Sequence, residues 1–168
     1  MEIREASADD WPGIWSVMEP VIRAGETYTW DPATPQEDLR RAWLHEPGGR
    51  SRTLVAVLDG EVVGTADLHP NYGGGAADVA NAGFMVATGH QGRGIARALA
   101  ERTLADAREL GFRAMVFNAV VASNTRAVAL WLSLGFTILG TVPDAFRLPD
   151  GTRVGLHVMH RSLVTDGG

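Results

Sequence analysis

The stretch HQGRGIARAL, residues His90–Leu99, contains two glycines, Gly92 and Gly94, where a helix is predicted to begin. Glycine costs a helix roughly 1 kcal/mol relative to alanine, so two of them at this point need a reason. Glycine lets another molecule approach the backbone closely, and the first turn of a helix offers unpaired N–H groups and the positive end of the helix dipole. The stretch therefore predicts either an anion-binding site or an ordinary strand-to-helix turn.

Two common phosphate-binding patterns do not fit this stretch. The dinucleotide fingerprint G-x-G-x-x-G/A requires a small residue at the position of Arg97. The Walker motif requires a lysine, and all 15 basic residues of this chain are arginines. What remains is a strand, a short turn with two glycines, and a helix.

Composition excludes several classes of protein. A chain of 168 residues that is 45% hydrophobic suits one domain over residues 1–168. The net charge of -5 gives little support for nucleic-acid binding. The absence of cysteine excludes disulfides, cysteine nucleophiles and thiolate metal sites, and no metal site is predicted. Apolar runs of the roughly 20 residues that span a membrane are missing, so we expect a cytoplasmic protein without a membrane partner.

The predicted elements mix strands and helices along the whole chain. The predicted strands are Met1–Glu5, the two arms of a hairpin around Asp59–Gly60, Val79–Val86, Phe112–Val121, Phe136–Val142 and Arg153–Leu163. The predicted helices are one that follows a Ser7–Asp10 capping box and reaches Met18, one that begins with Thr34 as N-cap, Pro35 and Glu37, and the segments Gly94–Leu110 and Ser123–Gly135. The segment Asn71–Asp78 is predicted to be a flexible connection.

The hexapeptide QGRGIA, Gln91–Ala96, resembles the Q/R-x-x-G-x-G/A motif of the Gcn5-related N-acetyltransferase (GNAT) superfamily. The strand before it, and the stretch FNAVVASNTRAVALWLSLGF at Phe117–Phe136, also resemble that family, which commonly has Leu-Gly-Phe at this point. The resemblance implies an α/β (α+β) fold. Its mixed, mostly antiparallel central sheet has helices on both faces and is splayed between strands 4 and 5.

The resemblance also implies a site for acetyl-CoA as co-substrate. The strand before the loop would hold the pantetheine arm, and a bulge in that strand would separate it from the next one. A free N–H of Met85 or Val86 would polarise the thioester carbonyl. The cofactor-binding residues implied in this way are Phe84, Met85, Val86, Gln91, Gly92, Arg93, Gly94, Ile95, Ala96, Arg97, Asn124 and Trp131. For the side chains of Arg93 and Arg97, a solvent-facing position on the helix is the alternative.

Three asparagines resemble a narrower group, the L-azetidine-2-carboxylate N-acetyltransferases of fungi and their bacterial relatives. Asn81, Asn118 and Asn124 have the spacing of that group. The resemblance implies that Asn81 and Asn118 face the acceptor amino acid, that one of them assists the reacting amine, and that Asn124 lies by the cofactor. The alternative is a structural hydrogen bond that bridges the splayed strands, since an unpaired buried amide costs roughly 1–3 kcal/mol.

The chain departs from the family at its acid and its base. Many members have a tyrosine that protonates the leaving thiolate, and Trp131 stands at the matching position, with Ser133 as a possible substitute on the same helix. No glutamate on strand 4 offers a base, although Asp67 and Asp78 lie nearby in sequence. We therefore expect water to remove the proton.

Other polar residues complete the prediction. The loop AGETYTWDP resembles the acceptor-side loop of amino-acid acetyltransferases, with Glu26 toward the ammonium and Tyr28 as a pocket wall. A solvated loop with one packed aromatic ring is the alternative. His45 and His90 are expected at the surface, and the spacing of His157 and His160 argues against a metal pair.

These features predict an acetyl-CoA-dependent N-acetyltransferase for a small amino-acid-like amine. Transfer is direct, in a ternary complex, because no cysteine or serine-histidine-aspartate pattern offers a nucleophile. The rivals are acetylation of an amine drug or of phosphinothricin, and a non-catalytic acyl-CoA-binding module. A small-molecule amine is the expected partner, and a homodimer is a further possibility.

Overall fold

The computed structural model describes residues 1–164 and consists of seven strands and four α-helices. The strands are β1 (Glu2–Glu5), β2 (Arg52–Leu58), β3 (Glu61–Pro70), β4 (Val79–Val86), β5 (Ala114–Val121), β6 (Thr137–Arg147) and β7 (Arg153–Ser162). The helices are α1 (Trp11–Ala24), α2 (Gln36–Trp43), α3 (Ile95–Glu109) and α4 (Thr125–Ser133). The single domain predicted for residues 1–168 extends beyond the described part and stays a prediction.

All seven strands form one sheet in the order β1-β2-β3-β4-β5-β7-β6. Every neighbouring pair is antiparallel except β4 and β5, which are parallel. The two parallel strands pair only where Val79 and Ala80 meet Ala114 and Met115, although each strand has eight residues. The predicted mixed sheet, splayed between strands 4 and 5, is therefore confirmed.

Helices cover both faces of the sheet, as predicted. On one face, α1 and α2 bury Ile14 and Trp43 against Val55 and Met85. On the other face, α3 packs Leu99 against the residues of opposite parity on β2 and β3, such as Leu54 and Ala66. Because side chains alternate along a strand, this parity separates the two layers. No helix within residues 1–164 is both long and apolar enough to cross a membrane.

Turn signals in the sequence are confirmed where they depend on local geometry. Asp59 and Gly60 have φ values of 52° and 84°, so both central residues of the β2–β3 turn lie in the left-handed region that such hairpins require. Gly111 and Gly135 also have positive φ, after α3 and α4 respectively, as expected for glycines that end helices.

Helix starts and ends differ from the sequence prediction. The box between Ser7 and Asp10 closes, but it precedes a short 3₁₀ turn, and α1 runs on to Ala24 rather than Met18. Pro35, not Thr34, is the N-cap of α2. The Thr34 hydroxyl instead donates to the carbonyl of Asp31 at 2.6 Å, inside the preceding loop. Local loop bonding therefore displaced the predicted cap by one residue.

The strands β6 and β5 also differ from the prediction in length. The sequence indicates a strand that ends at Val142, but β6 continues to Arg147 and pairs with β7 through two register shifts. Almost all of β6 is exposed, and beyond Val142 the residues Pro143 and Asp144 interrupt the apolar pattern that predicts a strand. The strand β5 begins at Ala114, two residues after Phe112, because Phe112 packs into the core beneath α3.

Candidate functional site

A cleft of about 840 Å³ opens where β4 and β5 part. Its walls are completed by the loop before α2, by the segment His90–Gly94, here called the glycine loop, and by the starts of α3 and α4. The predicted site residues that line it are Tyr28, Asn81, Phe84, Met85, Val86, Gln91, Gly92, Gly94, Ile95, Ala96, Arg97, Asn118, Asn124 and Trp131. Glu26 and Arg93 are exposed and lie outside the lining. The structure therefore brings most of the predicted residues to one cleft.

The glycine loop leaves the start of α3 open to a ligand. Gly92 and Gly94 have φ values of 76° and 80°, and Gly94 is the N-cap residue of α3 without any side-chain capping bond. A Cβ added at Gly94 would meet nothing within 4 Å. The first amides of the helix are thus unhindered donors at the positive end of a helix dipole. This geometry fits a pyrophosphate group.

Two arginines near this loop could contribute positive charge to an anion site, and they differ in the contacts that their side chains already make. Arg97 donates to the hydroxyl of Ser133 at 2.8 Å and pairs with Glu101 at 3.7 Å along α3. Arg126, in the first turn of α4, has a guanidinium nitrogen 3.8 Å from the place of a Cβ on Gly92. Arg126 lines the cleft but was not predicted as a site residue. Its position after Asn124 in the first turn of a helix was the available signal.

The backbone of β4 presents a row of polar groups to the cleft. The Tyr28 hydroxyl accepts from the Phe84 N–H at 2.8 Å and donates to the Phe84 carbonyl at 2.9 Å. The backbone N–H and C=O of Phe84 therefore point away from β3. Because these groups alternate in direction along an antiparallel pair, those of Val86 also point away from β3, and those of Met85 point toward it. Of the two predicted donors, only the Val86 N–H points to the cleft.

The predicted bulge in β4 is not present. The pairing of β4 with β3 is regular from Val86 opposite Gly64 to Ala80 opposite Pro70. The irregularity lies in the other parting strand, where β5 shifts register against β7 between Phe117 and Val120. The separation of the two strands therefore comes with a distortion of β5.

Three asparagine side chains connect the two strands at the cleft. Asn71, just after β3, donates to Asn118 Oδ1 at 2.9 Å and accepts from Asn118 Nδ2 at 2.7 Å. It also accepts from Asn81 Nδ2 at 3.2 Å, while Asn81 Oδ1 accepts from the Ala82 N–H at 2.8 Å. The predicted bridge between the splayed strands therefore exists, with Asn71 as its unpredicted centre. Asn118 is exposed to the cleft, which corrects the expectation of a buried amide.

Aromatic rings close the floor and one side of the cleft. Trp131 is buried, and its ring centroid is 4.9 Å from the rings of both Phe84 and Phe117. Near the other end, the rings of Trp30 and Trp43 lie 5.5 and 6.2 Å from Tyr28. A Cβ on Gly83 would come within 2.8 Å of Trp43, so this glycine lets the indole rest directly on β4.

The three residues considered as acid or base, Ser133, Asp78 and Asp67, lie in different places relative to the cleft. Ser133 is exposed, donates to the carbonyl of Leu130 at 2.7 Å and lies outside the cleft. Asp78 is exposed and pairs with Arg50 at 3.0 Å. Asp67 is buried and lines the cleft, so it is the one of these three groups that reaches the site.

Asp67 joins two histidines, which corrects the expectation that His45 is a surface residue. His45 Nε2 lies 2.7 Å from Asp67 Oδ1, and His69 Nδ1 lies 3.2 Å from the same oxygen. One candidate ligand atom from each residue lies within 4.8 Å of the other two, so the group also has the composition of a metal site. His90 is likewise half-buried in the cleft wall, and its buried Nδ1 has no hydrogen-bond partner among residues 1–164.

Comparison with curated proteins finds partial matches. N-acetyltransferase aca1 of Schizosaccharomyces pombe is 40% identical over 87 residues, which are 52% of this chain and 42% of the yeast protein. Protein SPT10 of Saccharomyces cerevisiae is 29% identical over 96 residues, which are 57% of this chain and 15% of that protein. The matches thus span less than half the length of either relative.

Comparison with solved structures finds matches over nearly the whole chain. A GCN5-related N-acetyltransferase from Kribbella flavida is 49% identical, with a TM-score of 0.92 and 96% of both chains covered. The protein yncA from Salmonella typhimurium, solved with acetyl-CoA, is 23% identical with a TM-score of 0.83, over 100% of this chain and 96% of that one. A phosphinothricin acetyltransferase from Sinorhizobium meliloti, also with acetyl-CoA, is 20% identical with a TM-score of 0.87, over 99% and 94%. These last two likenesses show the fold alone.

A sequence profile of the acetyltransferase (GNAT) family matches residues 3–136, which include the glycine loop and both parting strands. The profile match agrees with the sheet order, the parallel β4–β5 pair and the open start of α3. The chain belongs to the GNAT family and is an acetyl-CoA-dependent N-acetyltransferase.

Proposed function

We propose that this enzyme acetylates the amine of a small amino-acid-like molecule by direct transfer within a ternary complex. The observation that carries the proposal is the division of the cleft. One end has the open amides of the glycine loop, and the other has the side-chain amides of Asn81 and Asn118 beside Tyr28. The absence of cysteine from the sequence also favours direct attack over an acyl-enzyme.

Acetyl-CoA occupies the glycine-loop end in this proposal. The amides of Gly92–Arg97 surround the pyrophosphate, with the guanidinium of Arg126 close by. The pantetheine arm follows Phe84–Val86 and passes Trp131 and Asn124 toward the asparagines. Because Tyr28 occupies both backbone groups of Phe84, the Val86 N–H is the donor left to polarise the thioester carbonyl.

The acceptor occupies the other end of the cleft, between the asparagines and the aromatic wall. Asn118 is exposed there, so its amide is accessible to a bound amine. Asn81 lies beside it and contacts it through Asn71. The arrangement orients the amine toward the thioester, which is the main contribution expected of an enzyme without a covalent step. Glu26 is exposed outside the lining, so the geometry gives no support to its predicted contact with the ammonium.

The narrower proposal is an acceptor similar to L-azetidine-2-carboxylate. The support for it is the spacing of Asn81, Asn118 and Asn124, of which the first two face the acceptor end and Asn124 caps α4 beside the cleft. Acetylation of phosphinothricin or of an amine drug is the competing assignment. Similarity to a phosphinothricin acetyltransferase at 20% identity does not separate the two.

A panel of amines tests the proposal. Release of free CoA from acetyl-CoA would be measured with L-azetidine-2-carboxylate, proline, phosphinothricin and an aminoglycoside, each at several concentrations. We expect the highest kcat/KM with the small cyclic amino acids. A clear preference for phosphinothricin or the aminoglycoside would replace the proposed acceptor class. Acetyl-CoA hydrolysis at an equal rate with and without every amine would contradict amine acetylation.

Two further parts of the proposal concern the protein as a whole. A homodimer is supported by the exposed apolar side chains of Ile138, Leu139 and Val142 on the sheet-edge strand β6, since exposed edge strands are common sites of association. Light scattering of the purified protein at several concentrations tests it, and a constant monomer mass would contradict it. The cytoplasmic location remains a prediction from sequence.

A further inference from the structure

The cleft contains a histidine, His69, that has no role in the acetyl transfer proposed above. His69 is the ninth residue of β3 and lines the acceptor end of the cleft, with 35% of its side chain exposed. Its Nδ1 lies 3.2 Å from Oδ1 of Asp67, whose side chain is only 6% exposed. Because Asp67 and His69 are two residues apart in a strand, both side chains lie on the same face of the sheet.

The sheet register places His69 beside the proposed acceptor site. His69 is directly opposite Asn81 on β4, and Asp67 is opposite Gly83. The Cβ atoms of directly opposed residues are about 5 Å apart in an antiparallel pair. An amine that contacts Asn81 is therefore within reach of the His69 ring, and the chain has no glutamate on β4 to compete for its proton.

We propose that Nε2 of His69 takes the proton from the ammonium of the acceptor, and that Asp67 is the positioning residue for this histidine. The inference rests on the proposed acetylation of an amine. His69 then takes the place of the water predicted from the sequence to remove this proton.

The hydrogen bonds fix the ring in the form that this role requires. When Nδ1 donates its proton to Asp67, the neutral ring has an unprotonated Nε2. His45 approaches the same carboxylate oxygen from the segment after α2, at 2.7 Å. The hydrogen bond to Asp67 raises the pKa of His69, which makes the ring a stronger base. Tyr28 is also near Asp67, and its pKa is raised well above its ordinary value, mainly by burial, so it stays neutral.

The step balances as follows. One N–H bond of the ammonium breaks, its electron pair stays on nitrogen, and the proton moves to His69 Nε2. The neutral amine then attacks the thioester carbon, and the C–S bond breaks with its electrons on sulfur. The second N–H proton goes to the departing thiolate when the amide forms. His69 returns its proton to water through its exposed edge. The products are the amide, CoA thiol and one proton in solution.

His69→Gln tests the inference by kinetics. We expect kcat with L-azetidine-2-carboxylate to fall roughly 10²-fold or more, the scale of a lost general base. The acid limb of the wild-type pH profile of kcat/KM that belongs to His69 should disappear. Affinity for acetyl-CoA should be unchanged. The matched control is His160→Gln on β7, outside the cleft, which should leave the pH profile intact.

A second acceptor separates a base from a merely structural residue. Methoxyamine is already neutral at pH 7 and needs no base before attack, so its slow acetylation should decrease far less in His69→Gln than that of L-azetidine-2-carboxylate. Equal losses with both amines, or an unchanged pH profile, would overturn the inference. If EDTA abolishes wild-type activity and zinc restores it, His45, Asp67 and His69 hold a metal and the assignment of a free base is wrong.

The state of the ring gives a readout that does not require activity. In ¹⁵N-labelled protein, two-dimensional NMR above the pKa of His69 should show the proton on Nδ1, and Asp67→Asn should lower that pKa. A proton on Nε2 instead would overturn the inference even if no acceptor has been found. Failure of every amine in the panel, with Nδ1 protonated as expected, would contradict the proposed function but not the assignment of the ring.

Discussion

Asn71 and Asn118 exchange two side-chain hydrogen bonds across the opening between β4 and β5, at 2.9 and 2.7 Å. Asn118 is exposed to the cleft, whereas Asn71 belongs to the connection after β3 and does not line it. The pair therefore combines a bridge between two strands with an amide that a ligand can reach. Substitution of each partner separates these two roles.

Asn118→Ala tests the catalytic role. If Asn118 orients the reacting amine, kcat and kcat/KM should fall together, because the interaction is made mainly in the transition state. Loss of one well-placed hydrogen-bonding group at a reacting centre costs about 10²–10³ in rate. Affinity for acetyl-CoA, measured by calorimetry, should barely change.

Asn71→Ala is the matched control for that variant. It removes the same bridge, together with the bond from Asn81, and should cost about 1 kcal/mol of unfolding free energy. The turnover of the folded protein should fall much less than in Asn118→Ala. Urea denaturation and steady-state kinetics on the same preparations provide both numbers. Equal turnover in the two variants would remove Asn118 from the mechanism and leave Asn81 as the better candidate.

Gly94→Val should sharply weaken acetyl-CoA binding. The valine side chain would project into the open space before the first amides of α3, where a Cβ now meets nothing within 4 Å. The positive φ of Gly94, 80°, adds backbone strain, so the control must carry the same strain elsewhere. Gly111→Val serves, because Gly111 has the same φ of 80° and open surroundings beyond the other end of α3.

Calorimetry with acetyl-CoA distinguishes the two glycine variants. We expect both to lose stability by a similar amount and only Gly94→Val to lose affinity. An unchanged dissociation constant in folded Gly94→Val would show that the loop does not bind the pyrophosphate.

Transfer should follow sequential kinetics. The sequence has no cysteine, and Ser133, the serine predicted as a possible acid on α4, is exposed and bonded to Arg97. Initial rates with both substrates varied should therefore give intersecting double-reciprocal lines. Parallel lines, or an acetylated protein in mass spectra after incubation with acetyl-CoA alone, would indicate an acyl-enzyme instead.

Asp10 should stabilise the fold only above acidic pH. The ion pair and hydrogen bond with Arg4, at 2.7 Å, lower the pKa of Asp10 from 3.8 to about 2. Because the folded pKa is the lower one, the stabilisation is fully present above about pH 4 and is lost as the pH falls through about 2. Arg4 is 40% exposed, so solvent screening keeps the effect to about 1 kcal/mol.

Denaturation curves of Asp10→Asn at pH 7 and pH 2 measure this contribution. The variant should be less stable than wild type at pH 7, and most of that difference should be gone at pH 2. Asp9→Asn, at the exposed neighbouring position, should match wild type at both pH values. A stability difference for Asp10→Asn that is as large at pH 2 as at pH 7 would exclude the ion pair as its cause.

Local signals in the sequence predicted much of the fold. The β2–β3 turn needs two residues with positive φ, which Asp59 and Gly60 supply from within the turn itself. The glycine loop could also be predicted, because the positive φ values of Gly92 and Gly94 are favoured by glycine itself. The full length of β6 could not be predicted from the sequence. This strand is exposed, makes backbone hydrogen bonds to β7 and has no alternating apolar pattern beyond Val142.

The cluster of His45, Asp67 and His69 in the cleft could not be predicted from local sequence signals. His45 lies 22 residues from Asp67 in sequence, and the packing of α2 on the sheet brings the two together. Asn71 was hidden for a similar reason, since its partner Asn118 lies 47 residues away. The one local signal was the alternation of Asp67 and His69 in β3, which puts both on one face.

Tyr28→Phe should destabilise the protein although it keeps the ring. The Tyr28 hydroxyl makes two hydrogen bonds to the backbone of Phe84, at 2.8 and 2.9 Å, and the ring stacks on Trp30. Removal of the hydroxyl leaves both backbone groups of Phe84 without their partner, which costs about 1–3 kcal/mol. Urea denaturation should show this loss with little change in its m-value.

Tyr72→Phe provides the matched control, because Tyr72 is the other tyrosine of the chain and is 50% exposed. The same chemical change there should alter the unfolding free energy by no more than about 0.5 kcal/mol. Acetyl-CoA should stabilise Tyr28→Phe more than wild type if the pantetheine arm then bonds to the freed groups of Phe84. Equal stability of the two phenylalanine variants without ligand would mean that the Tyr28 hydroxyl bonds make no net contribution to the fold.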